Sequence, residues 1–259
     1  RTAIQRSCDV YFYEVARLLG VDRLSETAKK FGLGKTVLDG FIEERSGVVP
    51  NTSWKKKFIG KNWYLGETLH SGIGQGYYQS TPLQLCLMTA QLANGGFELK
   101  PRLLVNEEKN NLREFIKYKN DNPNDPLPLD MLVSNFNLKP LFRNQENINF
   151  VKDAMYAATN EAGGTSYRSR LLDKKFMFAG KTGSSQIKRF TAEQRELEVK
   201  QKDLNYKDRD HALFVAFAPV KDPQYAISVV VEHGGTGSSA AAPLAKKIIK
   251  KVLERHELR

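Results

Sequence analysis

Two apolar runs, His211–Ala218 and Tyr225–Val231, are joined only by Pro219-Val220-Lys221-Asp222-Pro223-Gln224. A parallel crossover takes a dozen or more residues, so a link this short makes the two runs an antiparallel pair. A third run, Phe176–Gln186, precedes them. It begins apolar and ends in Lys181, Thr182, Gly183, Ser184 and Ser185, a strand that carries its polar groups at one end. An ammonium on a buried strand needs something negative to meet it, and a glycine beside it lets a ligand or another backbone approach closely. Lys181-Thr182-Gly183 is therefore a candidate holder of an anionic, peptide-like ligand. Taken alone, the tripeptide fits an exposed strand end with a solvated lysine equally well.

Helical patterns surround these strands. Apolar residues at Ile4, Cys8, Tyr11, Phe12, Val15, Leu18 and Leu19 predict one amphipathic helix over Thr2–Leu19, closed by Gly20. Val21–Phe31 repeats the pattern, with Asp22 or Ser25 as cap. Thr81-Pro82-Leu83-Gln84 reads as a capping box with proline in the first turn, opening a helix that stops at Asn94-Gly95. Phe150–Ala162 forms another. A last helix from Ala242 or Pro243 carries Leu244, Ile248 and Val252 on one side and Lys246, Lys247, Lys250 and Lys251 on a solvated one. Gly40–Gly76 shows little periodicity and reads as long surface connections. The expectation is one α+β domain over 1–259, partial and incomplete at its N-terminal side, an antiparallel sheet flanked by helices. Residues 106–148, rich in Asn, Lys, Asp and Pro, form an insertion or excursion. Residues 187–210 are either a mobile charged loop or a solvated helical excursion.

With 259 residues, 41% of them apolar, the chain can bury a substantial core. Forty Lys and Arg against 29 Asp and Glu give a net charge of +11, which favours anionic partners. The basic residues are dispersed, without an aromatic string or zinc-finger spacing, which argues against nucleic acid as a partner. Two cysteines, Cys8 and Cys86, and four scattered histidines show no metal-ligand spacing. Gly72, Gly74 and Gly76 follow no convincing strand, so they do not make a dinucleotide loop. No metal or cofactor is expected. No run is long and apolar enough to span a membrane.

Ser7-Cys8-Asp9, then the glycine-rich Ser71–Tyr77 loop with Thr81-Pro82-Leu83-Gln84, then Lys181-Thr182-Gly183-Ser184 and Glu232-His233-Gly234-Gly235, occur in the order found in penicillin-binding transpeptidases. That family uses S-x-x-K, S-x-N/D and K-S/T-G in sequence. The chain resembles its elongation-specific class B members over nearly all its length, least at 106–148 and 187–210. The resemblance implies the penicillin-binding, serine beta-lactamase-like fold and acyl transfer through a serine ester. A serine attacks the D-Ala-D-Ala bond of a peptidoglycan stem peptide, and a neighbouring amine takes the acyl group. Beta-lactams mimic the dipeptide and stall at the ester.

By the same resemblance, the Ser7 hydroxyl relays a proton between the lysine of the missing S-x-x-K motif and Lys181, and Asp9 helps hold the substrate backbone. Lys181 supplies positive potential for the terminal carboxylate, which the Thr182 and Ser184 hydroxyls bind. Ser184 lends its N–H to the oxyanion hole, and Gly183 lets the ligand lie on the strand edge. Asp9 replaces the commoner asparagine. By themselves Ser7 and Asp9 are ordinary helix surface.

The nucleophile motif should precede Ser7, and only six residues do. Ser53-Trp54-Lys55-Lys56 and Ser185-Gln186-Ile187-Lys188 match S-x-x-K by letter only. Such a lysine needs to lie one turn from its serine at the head of a helix. Ser53 reads as loop and Ser185 as strand, so no nucleophile is expected within the chain. The implied parent is a membrane-anchored protein at the periplasmic face of the inner membrane, with elongation-complex membrane proteins as partners. Two other readings are a non-catalytic protein on the same fold, binding peptidoglycan or elongation proteins, and a serine beta-lactamase, for which no water activator is visible.

Overall fold

The computed structural model describes residues 1–38, 41–102, 118, 121–122, 139–187 and 200–257. Its centre is a three-stranded antiparallel sheet ordered β1 (Ala179–Ser185), β2 (His211–Ala218), β3 (Tyr225–Val231). The register sets Lys181 opposite Val215 and Phe214 opposite Val229. Side chains alternate between the two faces of a strand. Ala212, Phe214 and Ala216 therefore join one buried cluster, and Phe217 joins another.

The longer α-helical segments among the described residues are α1 (Thr2–Gln5), α2 (Asp9–Leu19), α3 (Val21–Lys30), α4 (Thr52–Ile59), α5 (Leu65–Gly72), α6 (Pro82–Ala93), α7 (Glu146–Asn160) and α8 (Ala242–Glu257). On one face of the sheet α8 lays Ala245, Ile249 and Leu253 against Phe178, Phe214 and a floor of alanines. On the other, α6 and α7 bring Leu92, Ala93, Ile148 and Met155 onto Ala179 and Phe217. The result is helix, sheet, helix, with β1 and its polar end at one edge. The antiparallel pairing and the α6 capping box match expectation: Gln84 N–H donates to Thr81 Oγ1 at 3.2 Å, and Thr81 N–H to Gln84 Oε1 at 3.0 Å.

Several expectations are corrected. The predicted Thr2–Leu19 helix is two, broken at Arg6-Ser7-Cys8. Helix α3 starts at Val21 with Gly20 at the N-cap position, so no side chain caps it. Asp22 instead accepts from Thr52, tying α3 to the start of α4, and Ser25 is buried. The stretch 40–76 holds α4 and α5. Asn51 caps α4 by accepting from Trp54 N–H at 2.7 Å. Ser53 and Lys56 therefore sit one turn apart on a helix, not in a loop.

Helix α8 buries Ala245, Ile249 and Leu253, while Leu244 and Ile248 point outward. Its inward stripe is thus one position off the predicted one. Within 200–210, Gln201–Asp203 and Tyr206–Asp208 form single 3-10 turns. Residues 188–199 and most of 106–148 lie outside the described residues.

Candidate active site

The break between α1 and α2 is local in origin. Ser7 takes φ +53°, in the left-handed region that serine enters only when its surroundings hold it there. The turn is closed by Ser7 N–H to Ile4 O at 3.2 Å and Cys8 N–H to Ala3 O at 2.9 Å. It brings the Ser7 hydroxyl to β1, where the Lys181 ammonium donates to it. Lys181 also donates to Thr182 O at 2.9 Å. Burial pulls the Lys181 pKa down from 10.5 to about 8, and the nearby Asp9 carboxylate opposes the fall. A lysine tuned this way exchanges protons readily near neutral pH, as a proton relay requires.

The outer edge of β1 is set by hydrogen-bond alternation. Gly180 N–H donates to Thr159 Oγ1 on α7 at 3.1 Å, so position 180 faces away from β2. Thr182 and Ser184 face the same way, because backbone direction repeats every second residue. Gln75, from the glycine-rich loop after α5, donates its Nε2 to Ser184 O at 2.8 Å. Thr182 Oγ1 donates to Thr165 Oγ1 at 3.0 Å, and Thr165 N–H is itself fixed by Gln5 O at 3.2 Å. Among the described residues the N–H groups of Thr182 and Ser184 have no partner. They project from the same strand edge.

Between these elements lies a cavity of about 550 Å³. Ser7, Asp9, Lys181, Thr182, Gly183 and Ser184 all line it, so residues separated by more than 170 positions meet in one place. Sequence reading had not singled out Gln75, Thr165, Thr236, Gly237 and Ser238. Their one signal was hydroxyl or amide residues beside glycines: Gly74-Gln75-Gly76, Gly164-Thr165 and Gly235-Thr236-Gly237. Gly237 lies so close to Leu213 O and Gly183 O that no β-carbon fits. The preceding turn is pinned by His233 N–H to His211 Nδ1 at 2.9 Å and Gly235 N–H to Asp210 O at 2.9 Å. Ser53 and Lys56 line a different cavity beside α4, with Thr52, Lys57, Asn62 and Trp63. They share no lining residue with the Lys181 cavity.

The arrangement offers a tuned lysine on a hydroxyl, a strand edge with two donors unpaired among the described residues, and a ring of hydroxyls. A family model for the penicillin binding protein transpeptidase domain matches residues 1–250. The peptidoglycan D,D-transpeptidase MrdA of Salmonella typhimurium is 33% identical over 247 residues, 95% of this chain and 37% of the relative. The MrdA of Escherichia coli K12 is 32% identical over 252 residues, covering 97% and 36%.

Among solved structures, penicillin-binding protein 2 of Pseudomonas aeruginosa in complex with WCK 5153 superposes with a TM-score of 0.71. It is 34% identical, and the match covers 96% of this chain and 48% of that one. The complex of penicillin-binding protein 2 with MreC from Helicobacter pylori gives 0.74 at 30% identity, covering 98% and 39%. The chain spans a little over a third of the length of the curated relatives it matches. Motif order, the family model over residues 1–250 and relatives above 30% identity agree: the chain belongs to the penicillin-binding protein transpeptidase domain family.

Proposed function

We propose that this chain is the later portion of a peptidoglycan D,D-transpeptidase that cross-links stem peptides through a serine ester. The observation that carries the reading is the Lys181 ammonium on the Ser7 hydroxyl at the open edge of β1. Ser7 and Lys181 serve as the proton relay, and Asp9 sets the lysine's potential and orients the ligand. The hydroxyls of Thr182 and Ser184 receive the terminal carboxylate of D-Ala-D-Ala. Gly183 leaves room for the ligand against the strand, and the Ser184 N–H stabilises the oxyanion. Among the described residues no S-x-x-K serine faces this cavity, so the attacking serine comes from the remainder of the full-length protein.

The same reading puts the site on the periplasmic face of the inner membrane, in a membrane-anchored parent. No described helix is long and apolar enough to cross a membrane. The Helicobacter pylori relative is described in complex with MreC, which supports elongation-complex proteins as partners of the full-length protein. Beta-lactams are the expected inhibitors.

The test is intact mass after incubation with benzylpenicillin, for this chain and for the full-length protein. The expected result is a stoichiometric adduct on an upstream serine of the full-length protein, lost in Lys181→Ala, and none on the chain alone. An adduct within residues 1–259 would overturn the assignment of the nucleophile. No adduct on the folded full-length protein would favour a non-catalytic binder, and rapid drug hydrolysis a beta-lactamase.

A further inference from the structure

Away from the Lys181 site, a second cavity of about 490 Å³ opens between α7, the segment leading into β1, and the β2–β3 turn. It shares no lining residue with the first. Its apolar floor is Tyr156, Met177, Phe217 and Val220, and its walls carry three lysines, Lys152, Lys174 and Lys221. Asp153, the one carboxylate on its lining, is engaged by the Arg1 guanidinium at 2.5 Å. Lys152 is drawn inward: its ammonium donates to Ala93 O at 3.1 Å, and burial holds its pKa below the ordinary lysine value. Among the described residues no carboxylate pairs with Lys152, Lys174 or Lys221.

A half-buried ammonium without a counter-ion among the described residues, beside two more cations, leaves an unbalanced positive potential over an apolar surface. The volume falls in the range that holds small organic ligands. We propose that this cavity is a second binding site, for a small amphiphilic organic anion with one acidic group on an aromatic or aliphatic body. The acid group lies among the three ammoniums, and the body fills the floor over Phe217 and Met177. Phe217 pairs with Ala179 of β1, two residues before Lys181, so the site shares a strand with the first cavity. Its ligand is nevertheless held by other side chains.

The probe is anilinonaphthalenesulfonate, an anion on an aromatic body, compared with phenylnaphthylamine, its uncharged counterpart. Titration of the folded protein should give saturable fluorescence at one site per chain, with the neutral compound bound at least about tenfold more weakly. Lys174→Glu with Lys221→Glu changes two exposed residues and should abolish that binding while leaving circular dichroism unchanged. Lys247→Glu with Lys251→Glu on α8 makes the same charge change away from the cavity and should leave binding intact. Equal affinity for the neutral probe would overturn the proposal. So would equal loss in the α8 variant, unchanged binding in the cavity variant, or no saturable binding at all.

Discussion

The Gln75 side chain donates to the backbone carbonyl of Ser184 over 2.8 Å, bridging two residues 109 apart in sequence. It fastens the glycine-rich loop to the strand edge on which a ligand backbone would pair. A ligand seeking that carbonyl must first displace the amide. One neutral hydrogen bond contributes about 1 kcal/mol, so Gln75→Ala should tighten binding of a D-Ala-D-Ala peptide by roughly fivefold, with little loss of stability. Isothermal titration checks it. Weaker binding would show that Gln75 orders the loop for the ligand instead of competing with it.

Asp9 is the one charge that holds the Lys181 pKa up against burial. Asp9→Asn should therefore move the lysine titration further below 8, as read by carbon NMR of labelled lysine. An unchanged or raised value would mean the two groups do not sense each other.

The folded chain releases the Lys181 proton near 8, whereas the unfolded chain keeps it until about 10.5. Between these values the unfolded state binds more protons, so this group makes stability rise with pH across that window. Ligand binding should run the other way, with affinity for a peptide carboxylate falling as pH rises through 8. Urea unfolding and peptide binding at pH 7 and pH 9 measure the two trends.

Lys55 is almost fully buried at 2% exposure, where its ammonium meets the Glu67 carboxylate and the faces of Trp63, Tyr64 and Tyr77. Burial works against the Glu67 charge, yet bonds from Lys55, Tyr64 N–H and Tyr77 hold its pKa below the ordinary value. Removing one partner of a buried pair strands the other, at about 3 kcal/mol or more. Glu67→Gln should thus lose more stability in urea than Lys55→Met, which removes the buried charge itself. The reverse order would place the stabilisation in the aromatic contacts.

Gly237 offers a steric check. A β-carbon there would collide with Leu213 O and Gly183 O. Gly237→Ala should lift the Thr236–Ser238 turn off the sheet and cost about 2 kcal/mol or more. Gly74→Ala is the comparison: its β-carbon meets nothing within 4 Å, and its cost comes from a φ of +73° alone. Equal losses in thermal melts would mean that close approach is not what requires glycine at 237.

The hairpin of β2 and β3 was legible because its apolar runs are long and its link is short. So was α6, whose Thr81 and Gln84 satisfy each other locally. Helices α4 and α5 were not, because the residue that anchors them is Lys55, which any hydropathy pattern sends to solvent. The break at Ser7 was hidden for a related reason. Arg6-Ser7-Cys8 continues the helical period, and its departure accompanies a contact with Lys181, 174 residues on. The α8 offset arose because Leu244 and Ile248 outweigh the alanines that do the packing. At the site, Lys181-Thr182-Gly183 and Ser7-Cys8-Asp9 stood out as motifs. Gln75, Thr165 and Thr236 did not, since single polar residues in separate loops acquire a shared place only once the chain is folded.

The outward groups of β1 are not equivalent. At 180 the N–H is taken by Thr159, at 182 the carbonyl by Lys181, and at 184 the carbonyl by Gln75. The acceptors at 182 and 184 are quenched by the protein itself, while the two N–H donors there have no partner among the described residues. The rim is thus polarised, and it sorts by sign before any bond is made or broken. Oxygen-rich molecules are drawn to it, and molecules whose hydrogen bonding is mainly donating find little to hold.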